Sequence, residues 1–260
     1  MNIAEKITRA KADIDAVYEG GKAKAFSEVE PINSELEQIL YGKDTGGRGF
    51  YDAFWDAFKN GTGNIQLNYC FAGRGWNDVT FFPKYDLKPN YSVIGMFMWN
   101  GVTNLEKRLQ ECGVTLDTSN NANYGGIFSY SKTVSVPEIT FSSFASSMNR
   151  VFADATSLHT IRKIILQDGF NMDFLTAFEN CKALENVVFE GVIPKSIKMA
   201  QSTKLSKASI TNIIEHLSTT ASGQTATFSK TAVATAFGSA ESAEWNALIS
   251  TKSNWTISLV

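Results

Sequence analysis

Two histidines and three cysteines are the scarcest reactive side chains in this sequence, and their spacing limits the chemistry they could support. His159 and His216 stand far apart in the chain, and neither belongs to an H-x-x-x-H pair that would set two imidazoles on one helix face. No metal site is expected from them. Cys70, Cys112 and Cys181 are an odd number and widely separated. That matches neither a C-x-x-C ligand pair nor a disulfide framework, so they read as buried free thiols. A cysteine nucleophile needs a histidine beside it in space. Cys181 and His159 fall at different positions of the repeat described below, so they are not expected to form a dyad.

The carboxylates offer little more. Asp52 and Asp56 lie one helical turn apart, whereas a glycoside hydrolase draws its two acids from opposite sides of a cleft, so this pair reads as a solvated helix face. The loop Asp117 to Gly126 (DTSNNANYGG) is rich in oxygen ligands, but a calcium loop places a bidentate Glu at its twelfth position and Phe128 stands there. Gly73-Arg74-Gly75 lacks the further glycines, Lys and Ser or Thr of a phosphate loop and reads as a turn. No catalytic residue and no cofactor are expected.

The elements that must position whatever function exists are easier to read. The chain has 260 residues, 43% hydrophobic and 19% charged, which is enough for a core without disulfide or metal staples. Its net charge of -2 gives no field to hold a phosphate backbone, so nucleic acid is not an expected partner. No apolar run approaches the ~20 residues needed to cross a bilayer, so no membrane insertion is expected. The charged start, with Glu5, Lys6, Arg9, Lys11, Asp13 and Asp15, has no apolar core of a signal peptide.

Ile3, Ile7, Ala10, Ile14 and Val17 are spaced four, three, four and three apart, the seam of a coiled coil, and Gly20-Gly21 stops that helix. Isoleucine at both kinds of core position favours more than two strands, so a homotrimer is the first expectation, with docking on the chain's own body as the alternative. Ile32, Leu36, Ile39 and Leu40 continue a helical stalk up to a glycine-rich break at 42–49. Phe50, Tyr51, Phe54, Trp55 and Phe58 then crowd one face of a helix that reads as the cap of a core. Residues 64–94 read as short strands and turns. The expected organisation is therefore a stalk and linker over 1–49, an aromatic capping region over 50–91 and a repeat region over 92–260.

Within that region Phe152, Asp154, Ala155, Leu158 and Ile161 superpose on Phe178, Asn180, Cys181, Leu184 and Val187 at one constant offset. Phe128 and Val134 recur at the Phe and Leu positions with a slightly shorter offset, and Phe97 to Leu105 is a looser copy. Periods of this size predict a solenoid of α/β type in which each turn buries its Phe, Leu and Ile only against its neighbours. Beyond it, Ser206 can cap a helix carrying Ile210, Ile213, Ile214 and Leu217, Ala226 to Phe228 reads as extended, and helices from Ser229 and Ser242 lead to a terminal strand with Trp255, Ile257 and Leu259.

The phenylalanine, the small or Asn-Cys corner and the L-x-x-I that follows resemble the bacterial surface-antigen type of leucine-rich repeat, over residues 92 to 200. The wider arrangement, from AEKITRAKADIDAVYEGGK through FYDAFWDAF to the TKLSKASITNII and EWNALISTKSNWTISLV ending, resembles tail-associated proteins of phages and prophages of Gram-positive gut bacteria. That resemblance implies a non-enzymatic virion protein released by lysis, a tail fibre or receptor-binding accessory. It would join other tail proteins through its N-terminus and meet a host surface protein or glycan with its repeats. A bacterial surface adhesin and a cell-wall hydrolase accessory of a tail are the alternatives. The residues between the buried repeat positions would line up into one face, which nominates His159, Thr160, Arg162, Glu185 and Asn186. The aromatic turns around Trp76, Tyr85, Tyr91 and Trp99 are a second candidate surface, since flat rings stack on sugars.

Overall fold

The structure is a computed structural model and describes Glu5, Lys6, Thr8, Arg9, residues 67–69 and 72–73, Pro89, and residues 91–111 and 115–260. The chain divides into two units, Met1–Thr62 and Gly63–Val260. In the first, Glu5, Lys6, Thr8 and Arg9 are helical. The proposed coiled-coil seam of Ile3, Ile7, Ala10, Ile14 and Val17, the stalk and the aromatic helix with Asp52 and Asp56 lie outside the described residues. So do Cys70 and Cys112.

The second unit is mixed α/β with two small parallel sheets. Strands β1 (Ser135–Phe141), β2 (Thr160–Leu166) and β3 (Asn186–Glu190) form one sheet in that order; β4 (Ile197–Met199), β5 (Gln224–Phe228) and β6 (Trp255–Leu259) form the other. Ser135 pairs with Thr160 and Thr160 with Asn186, so the register advances by almost the same length of chain at each step. Parallel strands are usually joined through a helix. The second sheet follows this rule, whereas in the first sheet the returns are built of tight turns. A short segment with a phenylalanine at its centre recurs along this path: Gly95–Trp99 and Gly126–Tyr130 ahead of β1, Arg150–Asp154 between β1 and β2, and Thr176–Asn180 between β2 and β3.

These segments stack by backbone hydrogen bonds from one turn to the next. The Phe97, Phe128 and Phe152 amides donate to the Ile127, Val151 and Ala177 carbonyls at 2.7, 2.8 and 2.9 Å. The four phenylalanine rings follow the backbone into a column. Phe97 lies on Phe128 with centroids 5.5 Å apart, Phe128 on Phe152 at 5.5 Å, and Phe152 on Phe178 at 5.3 Å. Ala155, Leu158, Cys181 and Leu184 are fully buried beside them, as their repeat positions predict.

One repeat position is corrected by the structure. The offset that sets Phe128 under Phe152 would set Val134 under Leu158, but the strands pair Ser135 with Thr160, one position further along. The level of Leu158 is therefore taken by Thr133, which is buried, and not by Val134. The physical reason is a slightly longer path between Phe152 and β2 than between Phe128 and β1. Val134 instead turns its carbonyl to accept from the His159 and Thr160 amides at 2.9 and 3.1 Å.

Helices close both edges of the first sheet. Helix α1 (Leu105–Glu111) lies against β1, where the Leu105 amide donates to Thr133 Oγ1 at 3.1 Å and the Ser135 hydroxyl to Glu106 Oε2 at 2.5 Å. Helix α2 (Lys207–His216) lies against β3. There the Val187 and Phe189 amides donate to Ser209 Oγ at 2.9 Å and Asn212 Oδ1 at 2.6 Å, and Asn212 Nδ2 donates back to the Phe189 carbonyl. An uncovered strand edge is a template for pairing with another chain; at β3 the Ser209 and Asn212 side chains of α2 bond the edge amides.

Helices α2, α3 (Lys230–Phe237) and α4 (Ala243–Ser250) begin where serines 206, 229 and 242 accept from the amide three residues on, as expected for hydroxyl N-caps. Ile210, Ile213 and Ile214 form the buried face of α2. Its last carbonyls are met by Lys252, whose ammonium donates to Glu215 O at 2.9 Å and Leu217 O at 2.5 Å. Burial there pushes Lys252 below the ordinary lysine range. Among the described residues no helix is long and apolar enough to cross a membrane.

Candidate functional site

The outward face of the first sheet is built by alternation along its strands. Val136, Ile139, Ile161, Ile164, Val187 and Phe189 point into the core, which leaves Glu138, Arg162, Lys163, Val188 and Glu190 outside. In the middle strand both Arg162 and Lys163 face outward, because the pairing with β3 shifts between Ile161 and Ile164.

Of the residues nominated from the sequence, the structure groups four. Thr160 and Asn186 are register partners at the starts of β2 and β3. His159 precedes them and is exposed; its carbonyl accepts from the Glu185 and Asn186 amides at 2.9 and 3.0 Å, and its Nδ1 lies 2.7 Å from the Ser157 carbonyl. Glu185 is half-buried, with its carbonyl taken by the Ser206 amide. Arg162 does not join this group. Its guanidinium turns to α1 and pairs with Glu106 at 3.2 Å.

The centre of the face is a row the sequence reading missed: Lys163 on β2 sits between Glu138 on β1 at 3.7 Å and Glu190 on β3 at 3.0 Å. The Glu190 carboxylate beside it holds the Lys163 ammonium above the ordinary lysine range. These are exposed pairs whose value lies in order and specificity more than in stability. Alternation is a signal for Glu190 but not for Lys163, which follows the outward Arg162 directly, and only the folded sheet brings the three together.

Beside this row, α1, residues 115–117 and β1 enclose a groove of about 380 Å³ lined in part by Glu106, Asp117, Glu138 and Arg162. Each carboxylate is held by its own partner: Glu106 by Ser135 and Arg162, Asp117 by the Ser119 amide and hydroxyl, Glu138 by Lys163. Among the described residues no group of three or more His, Cys, Asp or Glu is placed to hold a metal ion.

Cys181 and His159 are not brought together. His159 is exposed, while the Cys181 thiol is fully buried and donates to the Phe152 carbonyl at 3.1 Å. Burial pushes that thiol up to about 12 from its ordinary value of 9.0. A thiol that ionises later in the folded chain than in the unfolded one stabilises the fold below the unfolded value, and that stability is lost as pH rises through the folded one. Between pH 9 and 12 the unfolding free energy is therefore expected to fall by up to ~1.4 kcal/mol per pH unit through this group. Denaturant titration at stepped pH checks it: the same slope in Cys181→Ala would exclude this thiol as the cause.

The second nominated surface is partly visible. Trp76 and Tyr85 lie outside the described residues, and Tyr91 and Trp99 are exposed. Trp99 is not alone: its ring stacks on Tyr130, centroids 5.7 Å apart at 28°. The two occupy the last position of successive phenylalanine-centred turns, and their backbones are left-handed, with φ of 55° and 57°. The same corner carries Asp154 (59°) and Asn180 (56°) in the following turns and Gly73 (106°) in the preceding one. At the first position of the same turns stand Tyr69, Gly95, Gly126 and Arg150, again with positive φ.

Tyr69 and Gly73 thus stand at the first and last places of an earlier segment (YCFAG in the sequence) that the sequence reading left out. Their amides donate to the Ile94 and Met98 carbonyls at 2.9 and 2.8 Å, the same bonds that link the later turns. A phenylalanine at the central place of the sequence was the available signal.

Comparisons with protein families, with curated proteins and with solved structures give no match to this chain.

Proposed function

We propose that this chain is a non-enzymatic recognition protein of a phage-type tail, a fibre or receptor-binding accessory. In this reading its repeats form a short leucine-rich-repeat-like solenoid that serves as the binding head. The N-terminal seam assembles a trimer on other tail proteins, and a host surface protein or glycan is the target. The observation that carries it is the stack of turns itself. Successive turns repeat the same buried phenylalanine and differ at the outward positions, which is how a repeat protein keeps one scaffold while varying a surface. The capped β3 edge supports the same reading, because it fits a head that meets its partner with a face of side chains and not by adding a strand there.

The test is location. An antibody raised against the chain, applied as immunogold to particles from an induced culture of the encoding bacterium, is expected to decorate tails. Undecorated tails, with the chain retained in the cell pellet, would overturn the reading.

A further inference from the structure

We infer that the corner column running through Trp99 and Tyr130 is a binding site for a neutral oligosaccharide that presents the flat C–H face of its pyranose rings. The inference rests on the recognition reading above and names its ligand class.

A left-handed backbone suits glycine and is unfavourable for a residue with a Cβ, more so for a bulky one. Gly73 occupies this corner in one turn, whereas the next two turns place tryptophan and tyrosine there. Neither ring is drawn into the core: Trp99 is 47% and Tyr130 42% exposed. Large side chains are thus held at strained and largely exposed positions, and residues in such backbone conformations cluster at ligand sites.

The surroundings fit a sugar. Tyr130 covers one face of the Trp99 indole, and the corner on the other side is Gly73, where no atom of the described residues lies within 4 Å of the position its Cβ would take. One broad aromatic face is therefore left without a stacking partner among the described residues. Indole rings offer their negative faces to the weakly positive C–H bonds of a pyranose and their N–H to its hydroxyls.

Polar groups in fixed positions continue the column. The Arg150 guanidinium lies over the Tyr130 ring, 5.7 Å from its centroid, and donates to Tyr130 Oη at 3.1 Å. It also pairs with Glu179 at 2.8 Å and with Asp154. Asn180 Nδ2 donates to Asp154 Oδ1 at 2.7 Å. Tyr130, having accepted from Arg150, keeps its own proton to donate. An aromatic platform followed by a held row of hydroxyl, guanidinium, carboxylate and amide is what binds a ring with one apolar face and a rim of hydroxyls. Two carboxylates against one guanidinium disfavour an anionic ligand.

The test uses the whole chain with cellohexaose and N-acetylchitohexaose, flat neutral β-1,4-linked chains, followed by tryptophan fluorescence and calorimetry. Saturable binding of at least one is expected. It should be weakened at least about tenfold by Trp99→Gly, the loss expected when an aromatic anchor is truncated. Tyr130→Gly should weaken it less. Glycine is at home at both φ values, and the relief of backbone strain offsets the lost ring contacts, so these variants should melt close to the parent, which separates loss of binding from loss of fold. Failure of the parent chain to bind either sugar, or undiminished binding in Trp99→Gly, overturns the inference. Decorated tails with no sugar binding would sink this proposal and leave the tail reading intact; sugar binding with undecorated tails would do the reverse.

Discussion

Replacing Phe152 by alanine is expected to destabilise the Gly63–Val260 unit by about 4 kcal/mol, the usual cost of deleting a buried phenylalanine side chain. The ring is fully buried and sits between two others, on Phe128 at 5.5 Å with planes 2° apart and on Phe178 at 5.3 Å with planes 17° apart. Its removal deletes apolar contact on both faces and leaves a cavity between turns whose backbones are tied to each other, so the stack cannot close over the gap. Two aromatic contacts are lost as well, each contributing ~1 kcal/mol beyond area burial. Urea unfolding followed by far-ultraviolet circular dichroism would report this as a lower midpoint at unchanged slope. A loss below about 1 kcal/mol, the range of ordinary substitutions, would mean that the rings do not form a continuous core.

Gly191→Ala is the second large effect, at about 3 kcal/mol or more, and its cause is backbone and not core volume. Gly191 follows β3 with φ of +89°, and a Cβ built there would stand 2.3 Å from the Leu166 carbonyl oxygen and 3.2 Å from its carbonyl carbon. Those are main-chain atoms at the end of β2 and cannot swing aside as a side-chain tip could. The conformational penalty of positive φ for a residue with a Cβ adds to the clash. Gly238→Ala is the matched control: φ is +79° but no atom of the described residues lies within 4 Å of the added carbon, so only the conformational part, about 1 kcal/mol, should appear. Equal losses in the two variants, measured by the same urea titration, would show that the contact with Leu166 is relieved in the folded chain.

The outward face illustrates how differently its parts are encoded. That Arg162 and Asn186 are exposed follows from alternation along each strand and was legible from local pattern alone. Which of them meet was not. Lys163 reaches both carboxylates because the β1–β2 register sets it level with Glu138, while Glu190, the register partner of Ile165, lies diagonally across from it on β3; Arg162 turns to Glu106 because α1 covers the β1 edge. Register and edge cover are properties of the assembled turns.

The sequence by itself determined the elements whose causes are local or periodic. Serines 206, 229 and 242 start helices because a hydroxyl there satisfies an otherwise orphan amide, and Gly238 ends one because glycine takes φ of +79° without strain. The Phe, corner and Leu positions were visible because a turn that buries its core only against its neighbours must repeat the same side chains at the same places. Only the tertiary structure decided the left-handed corners at Trp99, Tyr130, Arg150 and Asp154. Their local preference opposes that conformation. It is held by hydrogen bonds to the adjacent turn, such as Trp99 N to Ser129 O at 2.9 Å and Tyr130 N to Ala153 O at 2.9 Å. Intrinsic propensity is a fraction of a kcal/mol to about 2 kcal/mol per residue. A ladder of inter-turn bonds and a column of stacked rings outweigh it, so the corner that carries the exposed aromatic pair becomes readable only once the turns are stacked.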